Sequence, residues 1–253
     1  MQAYKNRVAL VTGSTGEGMG RSIALTLGRE GARVALNYGT GHPNNMSAAE
    51  KVLAELRTIG GKGYAFKADT REEDEVRAMV EGVVTLYGQI DFLICNAGGG
   101  WQMKDISEID QEHWRSVIKA EIDGIFYCVK HALPHMRRAH FGRIIAVGLA
   151  GAERRSGPPY DYVLGKAARN ALIRSLAVDE IANGITCNIV APGYMPRVTL
   201  KQGVESAKHA GIWKRRAHAL PQDVAEVVRF LCSDEAMFVN GSVIEIAGSP
   251  AQA

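Results

Sequence analysis

Cysteine is scarce in this sequence: there are four, Cys95, Cys128, Cys187 and Cys232, in 253 residues. No two lie within thirty residues of each other, which excludes a disulfide framework and any CxxC-type zinc set. Each stands in an apolar stretch, so buried, reduced thiols in a cytoplasmic compartment are expected. An excess of one charge is lacking too. Thirty Lys and Arg against 27 Asp and Glu leave +3, and basic residues come only in short clusters such as Arg137-Arg138 and Lys214-Arg215-Arg216. That is no electrostatic footprint for nucleic acid. No apolar run approaches the roughly eighteen residues of a membrane span. The opening MQAYKNRVALVTG runs straight into a strand-like segment, so no signal peptide is expected. Internal repeats and low-complexity tracts are missing. His131, His135 and His140 follow no ligand spacing, so no metal is expected.

What is present is alternation. Arg7–Thr12, Arg33–Tyr38, Lys62–Lys67, Asp91–Cys95, Gly142–Val147, Gly184–Val190 and Ser242–Ile246 read as strands. Between them lie helix-periodic segments. Val76, Met79, Val80, Val83, Val84 and Tyr87 form one core-facing stripe over residues 72–87. Helices are also expected at 19–30, 48–59, 111–137, 160–181 and 222–231. Apolar strands separated by helices require a parallel sheet covered on both faces. The expected fold is therefore α/β: a single doubly wound domain over residues 1–253 with a seven-stranded parallel sheet. The polar, basic stretch at about 195–220 breaks the rhythm and reads as a lid-like substrate segment.

The first strand-to-helix turn is Thr12-Gly13-Ser14-Thr15-Gly16-Glu17-Gly18-Met19-Gly20. Glycine lets a ligand approach the backbone, and a helix N-terminus offers free N–H groups to a diphosphate. After the first strand of a βαβ unit, this pattern points to a dinucleotide. An acid at the end of the second strand would hold the ribose hydroxyls of NAD. Here the strand ends Leu36-Asn37-Tyr38-Gly39-Thr40, without a carboxylate. Asn37, Thr40 and Arg21 are candidate donors to a 2′-phosphate, so NADP(H) is favoured over NAD(H). Tyr162 and Lys166 are spaced i, i+4 on one face of a helix. An ammonium there is expected to lower the phenol pKa and fit it for proton transfer.

In order along the chain, TGSTGEGMG at 12–20, Asp69-Thr70, CNAGGG at 95–100, Tyr162-x-x-x-Lys166 and Asn188-Ile-Val-Ala-Pro-Gly193 resemble the short-chain dehydrogenase/reductase family over its whole length. The flavour is similar to that of 3-oxoacyl-carrier-protein reductases. The resemblance implies a Rossmann-type domain. It implies cofactor contacts at Gly13, Ser14, Gly18, Met19, Gly20, Asn37, Asp69, Thr70, Asn96, Gly98, Tyr162, Lys166, Pro192 and Gly193. It also implies a homo-oligomer, a tetramer or dimer packed through the helices at 111–137 and 160–181, acting on a small-molecule substrate.

Departures from the family pattern are equally legible. Four residues rather than three separate Gly13 from Gly18. The position of the family's catalytic serine, thirteen residues before the tyrosine, holds Leu149, and Glu121 takes the place of its asparagine. Tyr162, Lys166 and Glu121 are then the candidate catalytic residues, with Leu149, Trp101 and Tyr194 lining a substrate pocket. Ser156 is a candidate replacement for the serine, and Trp213 a candidate cap over an apolar substrate. The expected activity is carbonyl reduction or alcohol oxidation by hydride transfer. The alternatives are reduction of C=C bonds and a catalytically silent dinucleotide-binding protein.

Overall fold

The computed structural model describes residues 3–39, 45–155, 157–193, 195 and 219–247. Seven strands, all parallel, form one sheet in the order β3-β2-β1-β4-β5-β6-β7. They are β1 (Val8–Val11), β2 (Arg33–Tyr38), β3 (Lys62–Lys67), β4 (Phe92–Cys95), β5 (Gly142–Val147), β6 (Ile185–Pro192) and β7 (Val243–Ile246). The helices are α1 (Met19–Arg29), α2 (Asn45–Thr58), α3 (Glu73–Tyr87), α4 (Gln111–Ile118), α5 (Gly124–Ala139), α6 (Tyr160–Glu180) and α7 (Pro221–Cys232). The doubly wound, Rossmann-type α/β expectation holds.

The continuous burial of β1, β4, β5 and β6 explains their unbroken apolar sequences. Alternate side chains feed two cores, one on each face. Leu10, Leu93, Ile144 and Ile189 pack with α3 and α5 on one side. Val11, Phe92, Ile94 and Val190 pack with α1 and α7 on the other. β3 sits at one edge of the sheet, and its exposed positions carry Lys62, Tyr64 and Lys67. All four cysteines are free and buried. Among the described residues no helix is long and apolar enough to cross a membrane.

One element departs from the expected pattern. The single helix expected over 111–137 is two helices joined by a π-turn at Lys119–Asp123, and α5 runs on to Ala139. Such turns widen the helix locally and cluster at functional sites. This one carries Glu121, fully buried, into the middle of the molecule. Most of the 195–220 segment, including Arg197, Thr199 and Trp213, lies outside the described residues, as do Thr40, Ser156 and Tyr194.

Candidate active site

The carboxyl ends of β1, β2 and β4 are stitched together by neutral side chains. Asn37 accepts a hydrogen bond from the Gly13 N–H at 3.0 Å and donates its amide to the carbonyls of Ala68 and Tyr38. The Asn37 N–H donates to the Ser14 hydroxyl. Asn96 donates to the Thr12 and Gly13 carbonyls, while the Thr12 hydroxyl accepts from the Asn96 and Ala97 N–H groups. Gly13 holds φ +59°, and a Cβ at Gly20 would stand 2.5 Å from both Asn96 Nδ2 and the Gly13 carbonyl. Glycine is therefore required where α1 meets this loop. α1 begins without a side-chain cap and without an acid in its first turn, so its leading N–H groups keep no side-chain partner.

Beside this loop opens a cleft of about 420 Å³, lined among others by Gly13, Asn37, Asp69, Thr70, Asn96 and Gly98. Its volume lies within the roughly 300–1,000 Å³ of small-molecule sites. Six of the positions expected to meet a cofactor thus converge on one cavity. Asp69 is bound there by Arg71, with Nη2 on Oδ2 at 2.6 Å, and that hydrogen bond holds its carboxyl below the usual range. Ser14 is buried, and Met19 packs against the core behind the loop. Pro192 and Gly193 end β6, where the Gly193 N–H donates to the Ile246 carbonyl and Pro192 accepts from Ala150.

Two donor assignments change. Arg21 is committed to Glu55, with Nε and Nη2 at 2.8 and 2.5 Å. Asn37 spends its amide on backbone carbonyls, so it builds the cleft wall and has no hydrogen left for a phosphate.

The second half of the site is ionic. Glu121 Oε2 lies 3.1 Å from Lys166 Nζ and 3.0 Å from Arg169 Nη2, and all three side chains are at least 95% buried. Glu121 Oε1 accepts from the Gly99 N–H at 2.6 Å. Lys166 also donates to the Val147 carbonyl at the end of β5. A Cβ at Gly98 would lie 2.5 Å from Glu121 Oε1, and one at Gly165 would lie 2.6 Å from Glu121 Cβ. Both glycines make room for a carboxylate where the family has an asparagine. Arg169 gave no signal in the sequence, because a cation on a helix face ordinarily reads as solvated.

Lys166 Nζ stands 5.2 Å from the centre of the Tyr162 ring, and Trp101 lies 5.7 Å from that ring on its exposed side of the loop. The expectation that Lys166 lowers the phenol pKa is overturned. Burial, and after it the Glu121 carboxylate, push Tyr162 up to about 12. Burial and the Arg169 charge bring Lys166 down to about 8, with Glu121 opposing. Tyr162 is therefore a protonated phenol at neutral pH.

Leu149 is also placed differently. It lines a separate polar cavity of about 230 Å³ with Glu153, Asn170, Arg174 and Glu245, sharing no lining residue with the larger cleft. A further buried pair was not foreseen: His113 Nε2 lies 3.0 Å from Asp161 Oδ2, and Asp161 Oδ1 accepts from the Tyr162 N–H. Among the described residues no group of His, Cys, Asp and Glu is placed to hold a metal.

The chain is similar to known proteins over most of its length. A family model described as Enoyl-(Acyl carrier protein) reductase matches residues 13–248. A cyclohexanol dehydrogenase from Acinetobacter sp. is 34% identical over 250 residues, 97% of this chain and 95% of that protein. A 3-oxoacyl-(acyl-carrier-protein) reductase FabG from Staphylococcus aureus is 34% identical over 245 residues, 95% of this chain and 96% of the relative. The solved structure of a short-chain type dehydrogenase/reductase from Mycobacterium ulcerans superposes with a TM-score of 0.84 at 26% identity, covering 97% of this chain and 90% of the other.

Proposed function

This chain belongs to the short-chain dehydrogenase/reductase family of oxidoreductases, and from that premise we propose that it is an NADP(H)-dependent reductase of a small-molecule carbonyl, with Tyr162 as the proton donor. The observation that carries the reading is Tyr162 set against the buried Lys166–Glu121 pair, whose Gly99 contact ties it to the edge of the 420 Å³ cleft.

The residues fit a dinucleotide. The glycine loop, the uncapped start of α1 and the backbone of residues 96–98 would hold its diphosphate and nicotinamide halves, and Asp69 and Thr70 its adenosine. When bound, the nicotinamide supplies or accepts the hydride. The chain does the rest. Tyr162 gives a proton to the oxygen of the carbonyl. Lys166, in the family's manner, would bind the nicotinamide ribose, with Glu121 holding it in place.

Preference for NADP(H) rests on the missing acid after Leu36. It also draws on Arg71, half exposed and paired with Asp69, which adds a cation to the cleft lining beside Asn37 and Gly39. Apolar side chains left exposed on α5 and α6, namely Phe126, Leu164 and Val178, support a homo-oligomer. Four free, buried thiols suit a cytoplasmic enzyme.

A second reading, reduction of a C=C bond, follows from the family's serine position holding Leu149, which offers no donor to a carbonyl oxygen. The description of the matching family model points the same way. One experiment separates the readings: NADPH oxidation by wild type and Tyr162→Phe with a ketone panel and an enone panel. Ketone reduction that falls about 10²- to 10⁴-fold in Tyr162→Phe supports carbonyl reduction. Enone reduction by wild type, with ketones inert, establishes the second reading. NADPH binding without turnover in either panel leaves a silent dinucleotide-binding protein.

A further inference from the structure

Arg169 belongs to no motif, yet it is the largest fully buried side chain among the described residues. Its Nε donates to the Glu121 carbonyl at 2.6 Å, and its Nη2 donates to the carbonyls of Ala97 at 2.6 Å and Ala120 at 3.2 Å. Nη1 reaches the Cys95 carbonyl at 3.4 Å. The same Nη2 pairs with Glu121 Oε2. One guanidinium on α6 therefore ties together the end of β4, the π-turn and the carboxylate under Lys166. Ala97 and Ala120 both line the dinucleotide cleft. The π-turn presents the carbonyls of residues 120 and 121 to this one group, which gives the unusual helix register a local cause.

Glu121 is the one carboxylate shared by two buried cations, Lys166 and Arg169, and breaking such a buried pair costs far more than forming it gains. With Arg169 present, Glu121 has two cations and the Gly99 N–H around it. We propose that Arg169 is a positioning residue of this site, fixing the Ala97–Gly99 edge of the cleft and the Glu121 carboxylate against Lys166, so that Glu121 and Arg169 act as one unit. The inference rests on the cleft holding a dinucleotide and deepens the proposed function.

The two charges of this unit act oppositely on their neighbours. Lys166 is faced by Glu121, Arg169 and the Tyr162 ring; Tyr162 is faced by Glu121, Arg169 and Arg155, with Asp161 and His113 behind its backbone. Arg169 lowers the pKa of both groups and Glu121 raises both. Removing one charge must move the alkaline limb of binding and turnover one way, and removing the other must move it back.

The test uses full-length wild type, Arg169→Met, Arg169→Lys, Glu121→Gln and the double variant Arg169→Met/Glu121→Gln. NADPH affinity is titrated by fluorescence across pH, and turnover is followed on the best carbonyl or enone. Arg169→Met should weaken NADPH about 10- to 100-fold, as loss of a positioning contact does. Its alkaline limb should move up by roughly one pH unit, while that of Glu121→Gln moves down. Arg169→Lys should keep the limb near the wild-type position, and the double variant should lie between the two single ones. A folded Arg169→Met that binds NADPH like wild type overturns the proposal. So does movement of both single-variant limbs in the same direction. If Arg169→Met does not fold, a folded double variant with wild-type NADPH affinity overturns it equally. Wild-type protein that binds NADPH and reduces nothing would defeat the reductase reading alone, because the binding limb still judges Arg169.

Discussion

Two clasps hold the carboxyl edge of this sheet, and they use different physics. The clasp around the glycine loop is neutral: Thr12, Ser14, Asn37 and Asn96 exchange hydrogen bonds with backbone groups of β1, β2 and β4. The clasp beneath Tyr162 is ionic: Glu121, Lys166 and Arg169 meet within 3.1 Å, out of contact with water. Both fix a loop that borders the same cleft. A neutral hydrogen bond contributes about 0.5–1.5 kcal/mol net, and leaving its partner unsatisfied costs about 1–3 kcal/mol. A buried ion pair contributes little net, yet losing one partner costs about 3–5 kcal/mol. The neutral clasp is thus tolerant and insensitive to pH. The ionic one is brittle and coupled to protonation, and it sits where a proton has to move.

The largest expected effect comes from the residue the ionic clasp serves. Tyr162→Phe removes the proton donor and should lower turnover by about 10²- to 10⁴-fold. Phenylalanine keeps the ring beside Lys166, so the urea midpoint should stay near wild type. Turnover unchanged in Tyr162→Phe would show that the ionic clasp supports some other donor. The clasps themselves are compared next. Glu121→Leu strands two buried cations and should destabilise the protein by about 3–5 kcal/mol in urea unfolding. Asn37→Ala leaves the Gly13 N–H and the Ala68 carbonyl without their partner, and should cost about 1–3 kcal/mol. Equal losses in the two variants would erase the distinction drawn between the clasps.

How much of this was legible in the sequence divides along the same line. The neutral half was readable because its determinants are local: a strand, then glycines at fixed spacing, then a helix. The sheet was readable because strands buried on both faces carry unbroken apolar runs. The ionic half was readable only in part. Glu121, Tyr162 and Lys166 stood out by position, but their mutual effect did not, since the sign of a pKa shift depends on burial and on every neighbour. Arg169 was invisible because its partners lie 48 to 74 residues away. The π-turn was missed because no residue type marks it, and the carbonyls it offers to Arg169 are a tertiary feature. A faint signal did exist. Gly165 stands inside a helix, where glycine is disfavoured unless something large and buried stands opposite.

The smallest expected effect is a slope, and it distinguishes the clasps by their response to pH. Lys166 has its pKa brought from 10.5 down to about 8 in the folded protein. Between those values the unfolded chain binds the proton and the folded one does not, so stability from this group rises with pH. That contribution is complete above 10.5 and is lost as pH falls through about 8. Tyr162 behaves in the opposite sense. Raised from 10.0 to about 12, it contributes fully below 10.0 and loses that contribution as pH rises through about 12. Between about 8 and 10 the buried Cys128, Cys187 and Cys232 thiols, all with raised pKa values, also add a slope, so the lysine is read from the difference between variant and wild type. Urea unfolding across it should show Lys166→Met with a stability slope lower than wild type by up to about 1.4 kcal/mol per pH unit. Asn37→Ala should run parallel to wild type, displaced by a constant, because nothing in the neutral clasp titrates there. Parallel curves for all three proteins would mean that Lys166 keeps its proton at an ordinary pKa. The ionic clasp would then be better solvated than its geometry indicates.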